Sequence, residues 1–218
     1  MKPSFEYENK LAASGFSKIC GIDEVGRGPL AGPVVAAAVM ISAELFKDLS
    51  KFKGVNDSKK LSEKSREKWY EILTKHEKIK WGIGIISEKV IDKINILEAT
   101  KVAMMKAIKN LARQENDMPD YLLIDGNFTL EGMPSINQKA VIKGDAKIIS
   151  IAAASIIAKV TRDRMMRQFN EDYPEYGFDK HKGYGTALHC EMIKKFGPCP
   201  IHRRSFEPIK SLARLTKS

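Results

Sequence analysis

Short apolar runs and longer mixed stretches take turns along this chain. Apolar runs bounded by turn formers cover Lys18 to Glu24, Val34 to Ile41 and Lys80 to Ser87, and they predict three strands. Between the second and third, the polar stretch from Ser62 to His76 predicts a helix with Ser62 as its N-cap. A short helix near Glu88 to Ile94 follows, then a longer one from Leu97 to about Gln114 with Val102, Met105, Ile108 and Leu111 at helical spacing. Its methionines read as core. Tyr121 to Ile124 is a further buried strand, ending in Asp125-Gly126-Asn127, and Gln138 to Ile142 is another, ending in Lys143-Gly144-Asp145. From Lys147 to about Asn170 the period is helical again. The first half of that stretch is apolar nearly all round, from Ile148 to Ala158, which predicts a buried helix. Pro198 and Pro200 mark a break before a helical or irregular arm from Ile201 onward.

Three early strands followed by helices alternating with strands define an α/β protein, a mixed sheet with helices on it. With 218 residues, 43% of them hydrophobic, the chain supports one sizeable core. The expectation is a single catalytic domain over 1–218, with its core at about 15–185 and a basic C-terminal arm at about 186–218. No apolar run reaches the ~18 residues of a membrane span, and the N-terminus lacks the apolar core of a signal peptide. Cys20, Cys190 and Cys199 form no CxxC pair. A reduced, cytoplasmic protein without a membrane partner is the simplest inference. His189, Cys190, Cys199 and His202 could be read as zinc ligands, but their spacing fits no common finger.

Net charge is +10, and +7 of it lies between Lys180 and Ser218, where nine basic residues meet two acidic ones. A solvated tail would look the same. This segment also carries Tyr184, Phe196 and Phe206 with His181, His189 and His202, a mixture suited to phosphate contacts and stacking on sugars or bases. Nucleic acid is the expected partner.

Against that basic background the acidic residues stand out. Asp23-Glu24 closes the first strand and runs into Val25-Gly26-Arg27-Gly28-Pro29, a glycine-rich turn carrying one arginine. Gly26 and Gly28 let backbone N–H groups approach a phosphate, and Arg27 adds a guanidinium matched to its oxygens. The G-x-G-x-x-x-G spacing of Gly26, Gly28 and Gly32 differs from a dinucleotide fingerprint, and no Walker-type Gly-Lys-Ser/Thr is present. Neighbours on a regular strand face opposite ways, so Asp23 and Glu24 serve one site only if the chain bends there. Asp125 and Asp145 each end a buried strand beside a glycine. Taken singly, each fits a turn. Together the four carboxylates suffice to hold two hard divalent cations next to a scissile phosphate. Asp163, flanked by Arg162 and Arg164, reads instead as a structural ion-pair partner.

The ordered set Asp23 to Val34, Asp57-Ser58-Lys59-Lys60-Leu61, Ile124 to Asn127, Lys143-Gly144-Asp145, Ala152 to Asp163 and His181-Lys182-Gly183-Tyr184-Gly185-Thr186 resembles the bacterial ribonuclease HII family, from about Gly21 to Phe206. The sister family, ribonuclease HIII, carries an extra N-terminal substrate-binding domain and usually Lys in the glycine loop; this chain has Arg27 and a short lead. The resemblance implies a ribonuclease H-like mixed five-stranded sheet flanked by helices, with a C-terminal helical or irregular arm. It implies cleavage of the RNA strand of RNA–DNA hybrids and nicking 5′ of ribonucleotides embedded in duplex DNA. Two magnesium or manganese ions would be held by Asp23, Glu24, Asp125 and Asp145, with Asp23 bridging, and the ends left would be 3′-hydroxyl and 5′-phosphate. By the same resemblance, Gly26-Arg27-Gly28 senses the ribose 2′-hydroxyl through backbone groups and Tyr184 packs on a sugar at an RNA–DNA junction. Lys59, Lys143, Lys159, Lys182 and Arg204 are candidate phosphate contacts, and the expected oligomeric state is a monomer. A junction resolvase has no reason to combine the glycine loop with Tyr184. A non-catalytic binding module leaves four acids unexplained.

Overall fold

A computed structural model of the chain describes residues 2–215. Five strands form one mixed sheet: β1 (Ile19–Val25), β2 (Val34–Ile41), β3 (Ile79–Ile86), β4 (Tyr121–Asp125) and β5 (Asn137–Val141), in spatial order β3-β2-β1-β4-β5. β1 is central, antiparallel to β2 and parallel to β4. Every expected strand is present, displaced by no more than one residue at either end.

Helices α1 (Glu6–Ala13), α2 (Glu63–Lys75), α3 (Glu88–Glu115), α4 (Ile149–Asp172), α5 (Phe178–His181), α6 (Ala187–Phe196) and α7 (Ile209–Leu215) accompany the sheet. Ser62 caps α2 as its position predicts, its hydroxyl accepting the Ser65 N–H at 3.2 Å. The two helices expected on either side of residues 95–96 are the halves of α3, joined across a kink. Asn95 takes φ 65° and ψ 169° there, and its side-chain oxygen accepts the N–H groups of Leu97 and Glu98 at 2.9 and 3.1 Å. That is N-cap chemistry restarting a helix.

Pleating divides the strand residues between two cores. Val35, Ala37 and Val39 of β2 pack with Ile151, Ala154 and Ile157 of α4; Val34, Ala36 and Ala38 pack with Ala103, Ala107 and Leu111 of α3. The sheet is thus covered on both faces, which explains why the β2 sequence has no polar residue and why α4 is apolar all round in its first half. Each isoleucine buried this way contributes about 1.5–3 kcal/mol. Glycines set how closely the helices approach. A Cβ on Gly84 would lie 1.9 Å from the Ala103 carbonyl oxygen of α3, and one on Gly21 would lie 2.3 Å from the Ser150 carbonyl carbon of α4. Any side chain at Gly21 would therefore push α4 off β1.

Residues from about 186 to 212 pack against the rest of the fold. Ile193 of α6, Cys199, Ile201 and Ile209 join Leu30, Ala31, Met166 and Phe178 in a third cluster, which ties the C-terminal segment to the loop after β1. No helix among the described residues is long and apolar enough to cross a membrane.

Candidate active site

β1 and β4 pair side by side as far as Ile22 and Ile124. Asp23 and Asp125 are the next residues on each strand, at the carboxyl ends where open α/β sheets present ligands. Both face α4, since they share parity with Ile19 and Leu123, which pack on that side. Asp145 arrives from the far side, in a 3-10 turn Gly144–Ala146 after β5; Lys143 reverses the chain just before it in the left-handed conformation, φ 56°. One carboxylate oxygen from each of Asp23, Asp125 and Asp145 lies within 4.8 Å of the other two.

Glu24 stands outside this group. The expected bend between Asp23 and Glu24 is not made: β1 continues to Val25, and its pleat turns Glu24 to the α3 face. Its Oε1 pairs with Arg27 Nη1 at 3.2 Å, while its Oε2 is buried with no partner.

The cluster is electrostatically strained. Burial, then the charges of Glu24 and Asp125, push the Asp23 carboxyl well above the usual carboxylate range, opposed by a hydrogen bond from Ser155. Burial and the charges of Asp125 and Asp57 lift Asp145 to about 6. Burial raises Glu24 as well, although Arg27 pulls it down. Around the rim the fold braces these groups. The Gly144 N–H donates to Asp125 Oδ1 at 2.7 Å, and Ser155 on α4 is held by Ser58 at 2.9 Å. Ser58 belongs to the Asp57–Leu61 motif, which also supplies Lys59. Burial pulls the Lys59 ammonium down, but the charges of Asp23, Asp145, Asp57 and Asp125 outweigh it and its pKa rises.

Beside the acids lies the glycine loop. Gly26 and Gly32 take φ of 95° and 82°, which favours glycine at both positions. Tyr184 leaves 41% of its surface exposed, and its ring lies 3.9 Å from where a Cβ on Gly28 would be. The loop and the tyrosine expected to read ribose therefore share one edge of the cleft.

The other candidate phosphate contacts differ in what their side chains already hold. Lys159 spends its ammonium on Asp163, Nζ to Oδ1 2.7 Å, with 16% of its side chain exposed. Asp163 is thus an ion-pair partner, of Lys159 rather than of the arginines beside it. Lys182 donates to the Asp179 carbonyl, and Lys143 is exposed. Arg204 is exposed, with its guanidinium on the Pro198 carbonyl at 2.9 Å.

His181, His189 and His202, expected among the nucleic-acid contacts, are buried in the third cluster instead. His189 Nδ1–H donates to the Tyr184 carbonyl at 2.9 Å, and His202 Nε2–H donates to His189 Nε2 at 3.0 Å. His202 Nδ1 then accepts from the Cys199 N–H at 3.0 Å and faces its sulfur at 3.1 Å. Only neutral imidazoles satisfy this relay, and every ring nitrogen is spoken for, so it leaves no lone pair for zinc. Burial pushes His189 down to about 4 and His202 to about 3. Arg162 and Arg203 are also fully buried, a role with no signal in the sequence beyond their sitting in cationic runs.

The fold is shared with solved structures. The ribonuclease H2 of Pyrococcus horikoshii matches with a TM-score of 0.72 at 29% identity, over 92% of this chain and 100% of that one. Fold and site together define a ribonuclease H, a metal-dependent hydrolase. The Ribonuclease HII family model matches residues 20–209. Ribonuclease HII of Chlamydia trachomatis serovar L2 is 52% identical over 204 residues, 94% of this chain and 88% of that protein. Ribonuclease HII of Bacillus cytotoxicus is 52% identical over 209 residues, 96% of this chain and 76% of that protein. The chain belongs to the ribonuclease HII family, whose members are endonucleases acting on RNA–DNA hybrids.

Proposed function

We propose that the chain hydrolyses the RNA strand of RNA–DNA hybrids and nicks duplex DNA 5′ of an embedded ribonucleotide, using two magnesium or manganese ions. The observation that carries this is the cluster of three carboxylates within 4.8 Å, two of them raised in pKa by burial first and then by the charges of neighbouring carboxylates, Asp125 acting on both. Such a set is unfavourable without a cation and fits a hard divalent ion, for which carboxylate oxygens are the preferred ligands. Glu24 extends the set, because its buried Oε2 lacks any protein partner. When bound, the ions lower the pKa of a water and neutralise charge on the leaving 3′-oxygen.

The chain's own residues do the rest. Asp23, Asp125 and Asp145 would hold the ions, and only through them set where the scissile phosphate lies at the carboxyl ends of β1 and β4. Lys59 stands by to offset charge on the phosphate once the acids are occupied. Backbone N–H groups of the Gly26-Arg27-Gly28 loop read the 2′-hydroxyl, the one group that separates RNA from DNA at a given position. Tyr184 stacks on the neighbouring sugar, and Lys143, Lys182 and Arg204 hold phosphates without reading bases.

Incubating the protein and magnesium with a duplex holding one ribonucleotide, beside its all-DNA twin, tests this reading. A single cut 5′ of the ribonucleotide, leaving 3′-hydroxyl and 5′-phosphate, is expected, with the twin intact. Equal cutting of both would make it a general DNA nuclease.

A further inference from the structure

Arg162 on α4 and Arg203 after α6 are both fully buried, and the hydrogen bonds of both go to main-chain carbonyls. Burying a guanidinium costs several kcal/mol unless its donors are matched, so a fold keeps one only where it organises something. What Arg203 organises is the glycine loop. Its Nη2 donates to the Gly26 carbonyl at 2.5 Å and to the Gly32 carbonyl at 2.9 Å, its Nη1 to the Arg27 carbonyl at 2.8 Å, and its Nε to Gly32 again at 3.0 Å. Arg162 braces the same loop from the other side. It donates to the carbonyls of Pro33 at 2.9 Å and Ala31 at 3.1 Å, and a Cβ on Gly26 would sit 2.3 Å from its Nε. Its Nη1 also reaches the Lys182 carbonyl at 2.9 Å, tying the loop to the segment that carries Tyr184.

Peptide planarity gives this clasp a chemical consequence. In a trans peptide the carbonyl and the following N–H point in opposite directions. With the Gly26 and Arg27 carbonyls both drawn inward onto one guanidinium, the next two amides, Arg27 N–H and Gly28 N–H, are turned outward. Neither amide has a partner among the described residues, and the Gly28 position faces the Tyr184 ring. Two successive free donors aimed the same way form an anion or oxygen cradle. A lysine ammonium could not reproduce it, because its three donors share one nitrogen whereas these four bonds leave from three nitrogens of one planar fork.

We propose that Arg203 is the positioning residue for ribose discrimination: it never touches substrate, but holds the Arg27 and Gly28 amides in the orientation that accepts a 2′-oxygen. This inference rests on the reading of the glycine loop as the ribose sensor.

The test measures equilibrium binding, with calcium replacing magnesium, of wild type, Arg203→Lys and Arg203→Met to a duplex holding one ribonucleotide and to its all-DNA twin. Wild type should prefer the ribonucleotide duplex. Arg203→Lys keeps the charge and most of the stem but loses the fork; its preference should fall on the order of tenfold, or to none, while affinity for the twin stays within about twofold. Arg203→Met should abolish the preference; if it does not fold, the lysine variant decides alone. An unchanged preference in Arg203→Lys, or an equal loss on both duplexes, overturns the proposal and leaves Arg203 a purely structural residue. A wild type with no preference overturns the reading of the loop itself, and the proposal with it.

Discussion

The carboxylate cluster and the arginine–histidine seam behind it both bury polar side chains, and they treat them oppositely. In the seam, Arg162, Arg203, His189 and His202 each find matched partners, with neutral imidazoles in complementary tautomers and guanidinium donors on carbonyls. In the cluster, Asp23 and Asp145 are buried with raised pKa and Glu24 keeps an orphaned oxygen. Unsatisfied burial is costly, and in the cluster it coincides with neighbouring like charges; the orphaned Glu8 Oε2, Ser150 Oγ and Thr161 Oγ1 belong to no such acidic group. Sign of charge alone does not separate the two regions, since the cationic segment carries both buried scaffold and exposed residues. What sets the cluster apart from the seam is burial of like charges without partners.

The largest effect expected from this contrast is on turnover. Asp23→Asn and, separately, Asp125→Asn each remove a charge that a hard cation needs while keeping shape, and should lower cleavage at least about a hundredfold at saturating magnesium. Duplex binding should stay largely intact. A variant retaining more than about a tenth of wild-type turnover would remove its residue from the set of metal ligands.

On the scaffold side the loss should be in stability. His202→Leu leaves His189 Nε2 and the Cys199 amide without partners, and denaturant melts should register about 1–3 kcal/mol of destabilisation. Turnover per folded molecule should change far less than in the aspartate variants. If His202→Leu instead abolishes turnover at unchanged stability, the division between the two regions fails.

Tyr184 belongs to both regions: its carbonyl is held by His189 while its ring is exposed beside Gly28. Tyr184→Ala should therefore cost activity with little stability. Stacking worth about 1–3 kcal/mol corresponds to roughly 5- to 150-fold in rate at a single embedded ribonucleotide, and less within a long hybrid. Tyr184→Phe should retain more, because it keeps the ring. Equal losses on both substrates would make Tyr184 a general contact.

Smallest is a difference in pH response. His189 and His202 are lowered to about 4 and about 3, so between the unfolded value of about 6.5 and those values the unfolded chain takes up protons that the folded one refuses. Their contribution to stability is present near neutrality and lost as pH falls through that window. Asp145 is raised to about 6, so its contribution runs the other way: present in acid and lost as pH rises through about 6. Metal-free melts of His202→Leu should show a shallower acid loss than wild type.

Strand positions were readable because a sheet covered on both faces needs unbroken apolar runs, and Val34 to Ile41 can be little else. The break between Ile94 and Leu97 was readable as an interruption between two helices, and Asp125 and Asp145 as acids at strand ends. Three features depended on contacts far along the chain. Glu24 lies on the α3 face because β1 stays pleated to Val25, whereas the sequence reading required a bend there for Asp23 and Glu24 to serve one site. Arg203 reaches carbonyls 171 to 177 positions away, and no local pattern separates it from the exposed Arg204 beside it. The α1 helix also gave no clear signal, although Glu8 from it accepts the Ser150 N–H at 3.0 Å, at the start of α4.

The most direct test of the contrast is thermal melting of wild type and Asp23→Asn at pH 8, with and without magnesium. Removing one carboxylate from a strained cluster should leave the metal-free variant at least as stable as wild type, and magnesium should raise the melting temperature of wild type alone. A variant that melts well below wild type without metal, or that gains as much from magnesium, would contradict the claim that these acids are gathered for a cation.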